Sequence, residues 1–226
     1  MVNLTHRGIV TAKAKTWQIA TLPTIQERNL PQELKQDCIS VIEQFSDITL
    51  KKLIDYVYVR HPWFTINSLN QRMTSRPIVR PAIFSMGYQG LSIDGFLNTL
   101  FSNGLKQIID VRANPVSRVY GFHKTTLMQL AKKVLLDYRH FPQVGISSEQ
   151  RSGLSTNEDY EYLLASYNRK ILPAQRSFLT EISLLMSTKP SVLLCFEADP
   201  AQCHRSRLAS ALAGRNNLPL RELRLQ

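Results

Sequence analysis

Eleven consecutive residues carry most of the chemistry in this chain: Cys195-Phe196-Glu197-Ala198-Asp199-Pro200-Ala201-Gln202-Cys203-His204-Arg205. They bring together two thiols, two carboxylates, an imidazole and a guanidinium. Thiols supply nucleophiles and metal ligands, the carboxylates and the imidazole move protons, and a guanidinium holds anions. A thiol at Cys203, near a helix N-terminus and close to Arg205, has the setting that lowers a thiol pKa, as a nucleophile requires. The alternative is that Cys195 is a buried core residue and Cys203 an ordinary small side chain. Cys195, Cys203 and His204 also offer three metal-ligand atoms. Their intervals match no standard zinc pattern, so no metal and no other cofactor is expected. A phosphatase loop is excluded as well. It needs Arg six residues past the thiol, where this chain has Ala201 and Ala209. The preferred reading is an anion clamp made by Arg205 and a helix N-terminus.

The second constellation is Asp110-Val111-Arg112-Ala113-Asn114-Pro115-Val116-Ser117-Arg118. Asp110 and Arg112, two apart at a strand end, share a face, and Asn114-Pro115 then breaks into a loop carrying Arg118. Arg112 and Arg118 are candidates for gripping a phosphate, with a structural Asp110–Arg112 pair as the alternative. Gly87 permits close backbone approach, and Tyr88 offers a stacking face. The expected site therefore has Asp110, Glu197, Cys203 and His204 as catalytic groups. Gly87, Tyr88, Arg112, Arg118, Cys195 and Arg205 bind the substrate.

Strands and helices must position these residues. Ala82–Met86, Ile108–Val111, Tyr138–Phe141, Val192–Glu197 and Leu220–Leu225 read as strands. Ile93, Phe96, Leu97, Leu100 and Phe101 fall at helical spacing, with Ser92 as cap and Asn103-Gly104 as stop. Further helices are predicted over Thr125–Asp137, Glu158–Tyr167 and Ala174–Ser187, and a last one is capped by Asp199, with Pro200 at its first position and Gln202 completing a capping box. In that helix Leu208, Ala209, Ala211 and Leu212 form the inward stripe, while Cys203 lies nearer the opposite face. The pattern predicts an α/β fold: three α/β/α layers around a mainly parallel sheet of about five strands. An N-terminal helical appendage precedes it. Helical spacing runs through Leu34, Cys38, Val41, Ile42 and Phe45, then through Leu50, Leu53, Ile54 and Val57, with Ser46 or Asp47 as the second cap. Residues 1–30 show no clear period. The polar stretch around residues 65–80 marks the boundary, giving an appendage over 1–80 and an α/β domain over 81–226.

Composition narrows the partners. Lys and Arg number 28 against 17 Asp and Glu, a net charge of +11, which favours nucleic acid or an anionic small molecule. The longest apolar runs, such as Val192–Phe196, are far too short to span a bilayer, so no membrane partner is expected. Three cysteines, an odd count, argue against a disulfide framework and for a reducing cytoplasm.

Four segments taken in order resemble the successive motifs of the domain of unknown function 488 (DUF 488) family. They are Ser85-Met86-Gly87-Tyr88, Asp110 to Arg118, Tyr138-Arg139-His140-Phe141-Pro142-Gln143-Val144-Gly145 and Cys195 to Arg205. The resemblance covers about residues 82–226. It implies a three-layer α/β domain whose Asp-Val-Arg and Cys-His-Arg segments meet at one polar crevice. The family usually carries an imidazole in the first motif, where this chain has Tyr88 or Ser85-Met86, and it has no established reaction. Two functions follow as expectations. One is an enzyme acting on a phosphorylated or nucleic-acid-related substrate. The other is a non-catalytic nucleic-acid-binding or regulatory module.

Overall fold

The computed structural model describes residues 10–13, 16–19, 31–65, 68 and 77–224. The chain divides into two compact units, Met1–Leu53 and Ile54–Gln226. In the first, β1 (Val10–Lys13) pairs antiparallel with β2 (Thr16–Ile19), with Val10 opposite Ile19. No apolar periodicity announced this hairpin. Helix α1 (Gln32–Phe45) follows and buries no residue. Helix α2 (Leu50–Arg60) runs across the division between the units. Its first turn is capped by Thr49, whose Oγ1 accepts from the Lys52 amide at 3.4 Å, and not by Ser46 or Asp47. The polar stretch expected as a boundary lies largely outside the described residues.

The second unit holds a five-stranded sheet made of β3 (Ile83–Gly87), β4 (Gln107–Asp110), β5 (Asp137–His140), β6 (Ser191–Cys195) and β7 (Leu220–Glu222). The order across the sheet is β5-β4-β6-β3-β7, and every pairing is parallel. In the interior strands β3, β4 and β6 every residue is buried, because helices cover both faces, and such strands read as continuous apolar runs.

Side chains alternate between two cores. Phe84, Met86, Ile108, Val192 and Leu194 face α3 (Ile93–Ser102) and α4 (Lys124–Lys133). Ile83, Ile109, Leu193 and Cys195 face α5 (Asn157–Ser166), α6 (Arg176–Thr188) and α7 (His204–Asn216). The three-layer α/β fold follows. The chain leaves β4 over one face toward β5 and leaves β6 over the other toward β7. These neighbouring strands therefore open a crevice at their carboxyl ends, the usual ligand position in open α/β sheets.

Strand β6 stops at Cys195 and not Glu197, β7 stops at Glu222 and not Leu225, and two helix boundaries differ further from expectation. Helix α4 ends at Lys133, not Asp137, because Leu135 adopts a left-handed conformation with φ 55° and turns the chain. The stretch after β6 does not enter a helix at Asp199. Asp199 caps a single 3-10 turn, Pro200–Gln202, by accepting from the Ala201 amide at 2.9 Å. Cys203 then returns to extended backbone, and α7 starts at His204. This break points Cys203 inward, so the thiol expected on the outer face is fully buried in the second core. Leu208, Ala209 and Leu212 form the buried stripe of α7, with Ala211 partly buried beside them.

Candidate functional site

Two networks meet at the crevice. The first is built on Asp110 at the end of β4. Its carboxylate accepts from the Arg112 amide at 3.1 Å and from Arg112 Nε at 2.8 Å, and the Tyr138 hydroxyl donates to it at 2.6 Å. Arg112 Nη1 donates to the Tyr88 hydroxyl at 3.0 Å and to the Phe122 carbonyl at 2.9 Å, while Nη2 pairs with Asp110. Four of the five guanidinium N–H donors are thereby spent on the protein. Burial and the Asp110 charge push the Tyr138 hydroxyl far above its ordinary range. Tyr88 is buried, its ring stacked on Phe122 with centroids 4.1 Å apart. Gly87 serves the backbone. An added Cβ would stand 1.7 Å from the Glu197 carbonyl oxygen, so the glycine lets the loop after β6 cross β3.

The second network gathers Cys195, Glu197, Cys203 and His204. Cys195 Sγ lies 3.2 Å from Glu197 Oε2 and 3.8 Å from His204 Nδ1. His204 Nε2 lies 3.0 Å from the Val111 carbonyl. A carbonyl only accepts, so Nε2 carries the proton in this contact. Burial alone would push the Cys195 thiol up. The Cys203 thiol, the His204 imidazole and the Arg151 guanidinium outweigh that effect and hold Cys195 well below the ordinary thiol range. Cys203 moves the other way, raised by burial and by its neighbour Cys195. Burial and the Cys195 charge raise Glu197, against the pull of Arg151.

Arg205 does not reach the crevice. Its guanidinium is fully buried and donates to the Glu197 carbonyl, to the Ala198 carbonyl at 3.2 Å and to Glu222 Oε1 at 2.5 Å. It fastens the loop after β6 to β7. The residue that does reach in is Arg151, from the turn Glu149–Arg151, which pairs with Glu197 and donates to His204 Nδ1 at 2.9 Å. Nothing in the sequence singled Arg151 out: it sits in a polar turn far from either motif.

A pocket of about 410 Å³ opens here, with Tyr88, Arg112, Arg118, Arg151, Cys195 and Phe196 among its lining. Arg118 is exposed and has no ion-pair partner among the described residues. Cys203 and His204 lie behind Cys195. A larger cavity of about 570 Å³ beside α3 offers neither a thiol nor a cation, and its Asp94 already accepts from Trp63 Nε1 at 2.9 Å. Of the expected site residues, Cys195, Glu197, Cys203 and His204 converge, and Arg112 and Arg118 share the pocket with Cys195. Gly87, Asp110 and Arg205 hold the surrounding frame. No helix among the described residues is long and apolar enough to cross a membrane.

A family model described as "Domain of unknown function DUF488" matches residues 92–212, a little more than half of the chain. No curated protein and no solved structure matches.

Proposed function

The chain belongs to the DUF488 family, and on that footing we propose that it is an enzyme acting on a phosphorylated or nucleic-acid-related substrate. The observation that carries this reading is a single pocket in which Arg118 and Arg151 stand beside the Cys195 thiol. Arg118, exposed and without an ion-pair partner among the described residues, and Arg151 at the wall take the anionic group of the substrate by charge-assisted hydrogen bonds. The net charge of +11 draws such substrates in from a distance. Behind the anion site, Glu197 and His204 are the proton-handling groups, and Cys195 is the sulfur nearest the substrate. Asp110 holds Arg112 in place and is a positioning residue.

The alternative, a binding or regulatory module without catalysis, is favoured by one observation: Asp110, Arg112 and Arg205 spend most of their polar atoms inside the protein. Anisotropy of labelled single- and double-stranded DNA and RNA at two salt concentrations tests the pocket. Binding should weaken about tenfold in Arg118→Ala, as expected for the loss of one charged contact. Unchanged affinity would remove the pocket reading. Alteration of the bound strand that stops in Glu197→Ala supports the enzyme, and binding with no alteration supports the module.

A further inference from the structure

We propose that Cys195, Cys203 and His204 form a binding site for a single zinc-class divalent ion at the inner wall of the pocket. One donor atom from each residue lies within 4.8 Å of the other two, and all three residues are buried. Bonds of roughly 2.3 Å to sulfur and 2.0 Å to nitrogen at a tetrahedral centre put donors about 3.5 to 3.8 Å apart. Cys195 Sγ and His204 Nδ1 already stand 3.8 Å apart.

The imidazole is set as a ligand would be. Nε2 lies 3.0 Å from the Val111 carbonyl, which fixes the proton there and leaves the Nδ1 lone pair toward the sulfur. A backbone carbonyl holding the remote ring nitrogen is the usual support for a metal-bound histidine. The site already attracts positive charge. Arg151 Nη2 donates to the same Nδ1 at 2.9 Å and Nη1 pairs with Glu197. An ion taking the Nδ1 lone pair displaces only the first of these contacts, and the guanidinium keeps its hold on Glu197.

The donor set chooses the metal. Two thiolates and an imidazole favour zinc and similar soft ions over magnesium or calcium. The intervals in sequence fit no standard zinc pattern because two of the ligands straddle a turn and the third follows the second directly. The fold closes that gap by ending β6 at Cys195 and turning Cys203 inward. Three protein ligands, with Cys195 on the pocket wall, leave a fourth position for water or substrate, as in catalytic zinc sites. Only that catalytic role rests on the enzyme reading above; the ion site stands without it.

Cobalt substitution tests the site directly. The full chain, reduced and freed of metal by chelation, is titrated with Co²⁺ and read by absorption, with zinc content measured in parallel. We expect one ion per chain, thiolate-to-cobalt bands in the near ultraviolet and tetrahedral bands in the visible, all displaced by Zn²⁺. Cys195→Ser and Cys203→Ser should lose these bands, while Cys38→Ser, an exposed thiol in the first unit, keeps them. If a variant fails to fold, wild-type protein suffices: in urea short of the unfolding midpoint, where the metal-free chain opens its buried thiols, added Zn²⁺ should slow alkylation of Cys195 and Cys203, but not of Cys38, as mapped by mass spectrometry. Absence of thiolate bands at saturating Co²⁺, or bands that survive both serine variants, overturns the site. Arg118→Ala should leave the cobalt spectrum intact, so failure of the anion pocket and failure of the ion site are read separately.

Discussion

At the scale of single residues, several conspicuous polar side chains act on the protein itself. Arg205 is the clearest. A buried guanidinium fastens two loop carbonyls and Glu222, and its removal strips the carbonyls of this donor and leaves Glu222 only the Ser85 hydroxyl. Arg205→Ala should cost about 3 kcal/mol, measured from urea unfolding midpoints, since truncating one partner of a buried pair strands the other. Arg205→Lys should recover little of this, because an ammonium cannot reach three acceptors with one planar fork. Gly87→Ala should also destabilise, by about 2 kcal/mol or more, because the new methyl meets backbone that can yield only by shifting the loop. A Gly87→Ala protein with unchanged thermal stability would mean that the loop after β6 does not cross β3 as described.

At the scale of elements, helix ends account for the boundaries that the sequence reading placed wrongly. Three helices end the same way. The amides of Leu105, Leu136 and Leu218 reach back to the carbonyls of Leu100, Ala131 and Ala213, with Gly104, Leu135 and Asn217 in left-handed backbone. Gly104 was recognisable as a stop, whereas a leucine in that role carries no signal. Leu135 is 86 % exposed and gains little from its side chain. Leu135→Gly should therefore raise stability by about 1 kcal/mol, seen as a higher Tm.

The start of α5 gives a pH-dependent case. Asp159 accepts from the Ser155 amide at 3.0 Å and the Thr156 amide at 2.8 Å, which holds its carboxyl below the usual range. A depressed folded-state pKa contributes stability that is complete above the unfolded pKa and fades as pH falls through the folded one. The Tm gap between wild type and Asp159→Asn should thus close in acid; a gap that stays constant from neutral to acid pH would refute the assignment.

At the scale of the whole molecule, charge is the dominant property. A surplus of +11 gives any polyanion complex a steep salt dependence through counterion release. Lys51 and Lys52, both exposed and both in the first unit, contribute to this surplus. Reversal to Lys51→Glu/Lys52→Glu should weaken oligonucleotide binding about equally across sequences and flatten the salt slope. Arg118→Ala should act more strongly on the tightest ligands. Equal effects from the two changes would place binding on the general surface and not at the strand-end pocket.

The sequence by itself determined the layered sheet. Strands buried on both faces must be apolar throughout, and the helices between them must repeat at 3.6 residues, so both patterns are written locally. It also located the crevice, since Asp110 and Cys195 sit at strand ends. Tertiary structure alone decided which of those side chains meet. Asp110 finds Tyr138 from the neighbouring strand, Arg205 turns inward to Glu222, Arg151 arrives from a distant turn, and Cys203 swings into the core. Each of these outcomes depends on where a long-range partner leaves an unsatisfied charge or hydrogen bond. That demand exists only once the sheet has closed, and no local pattern of residues encodes it.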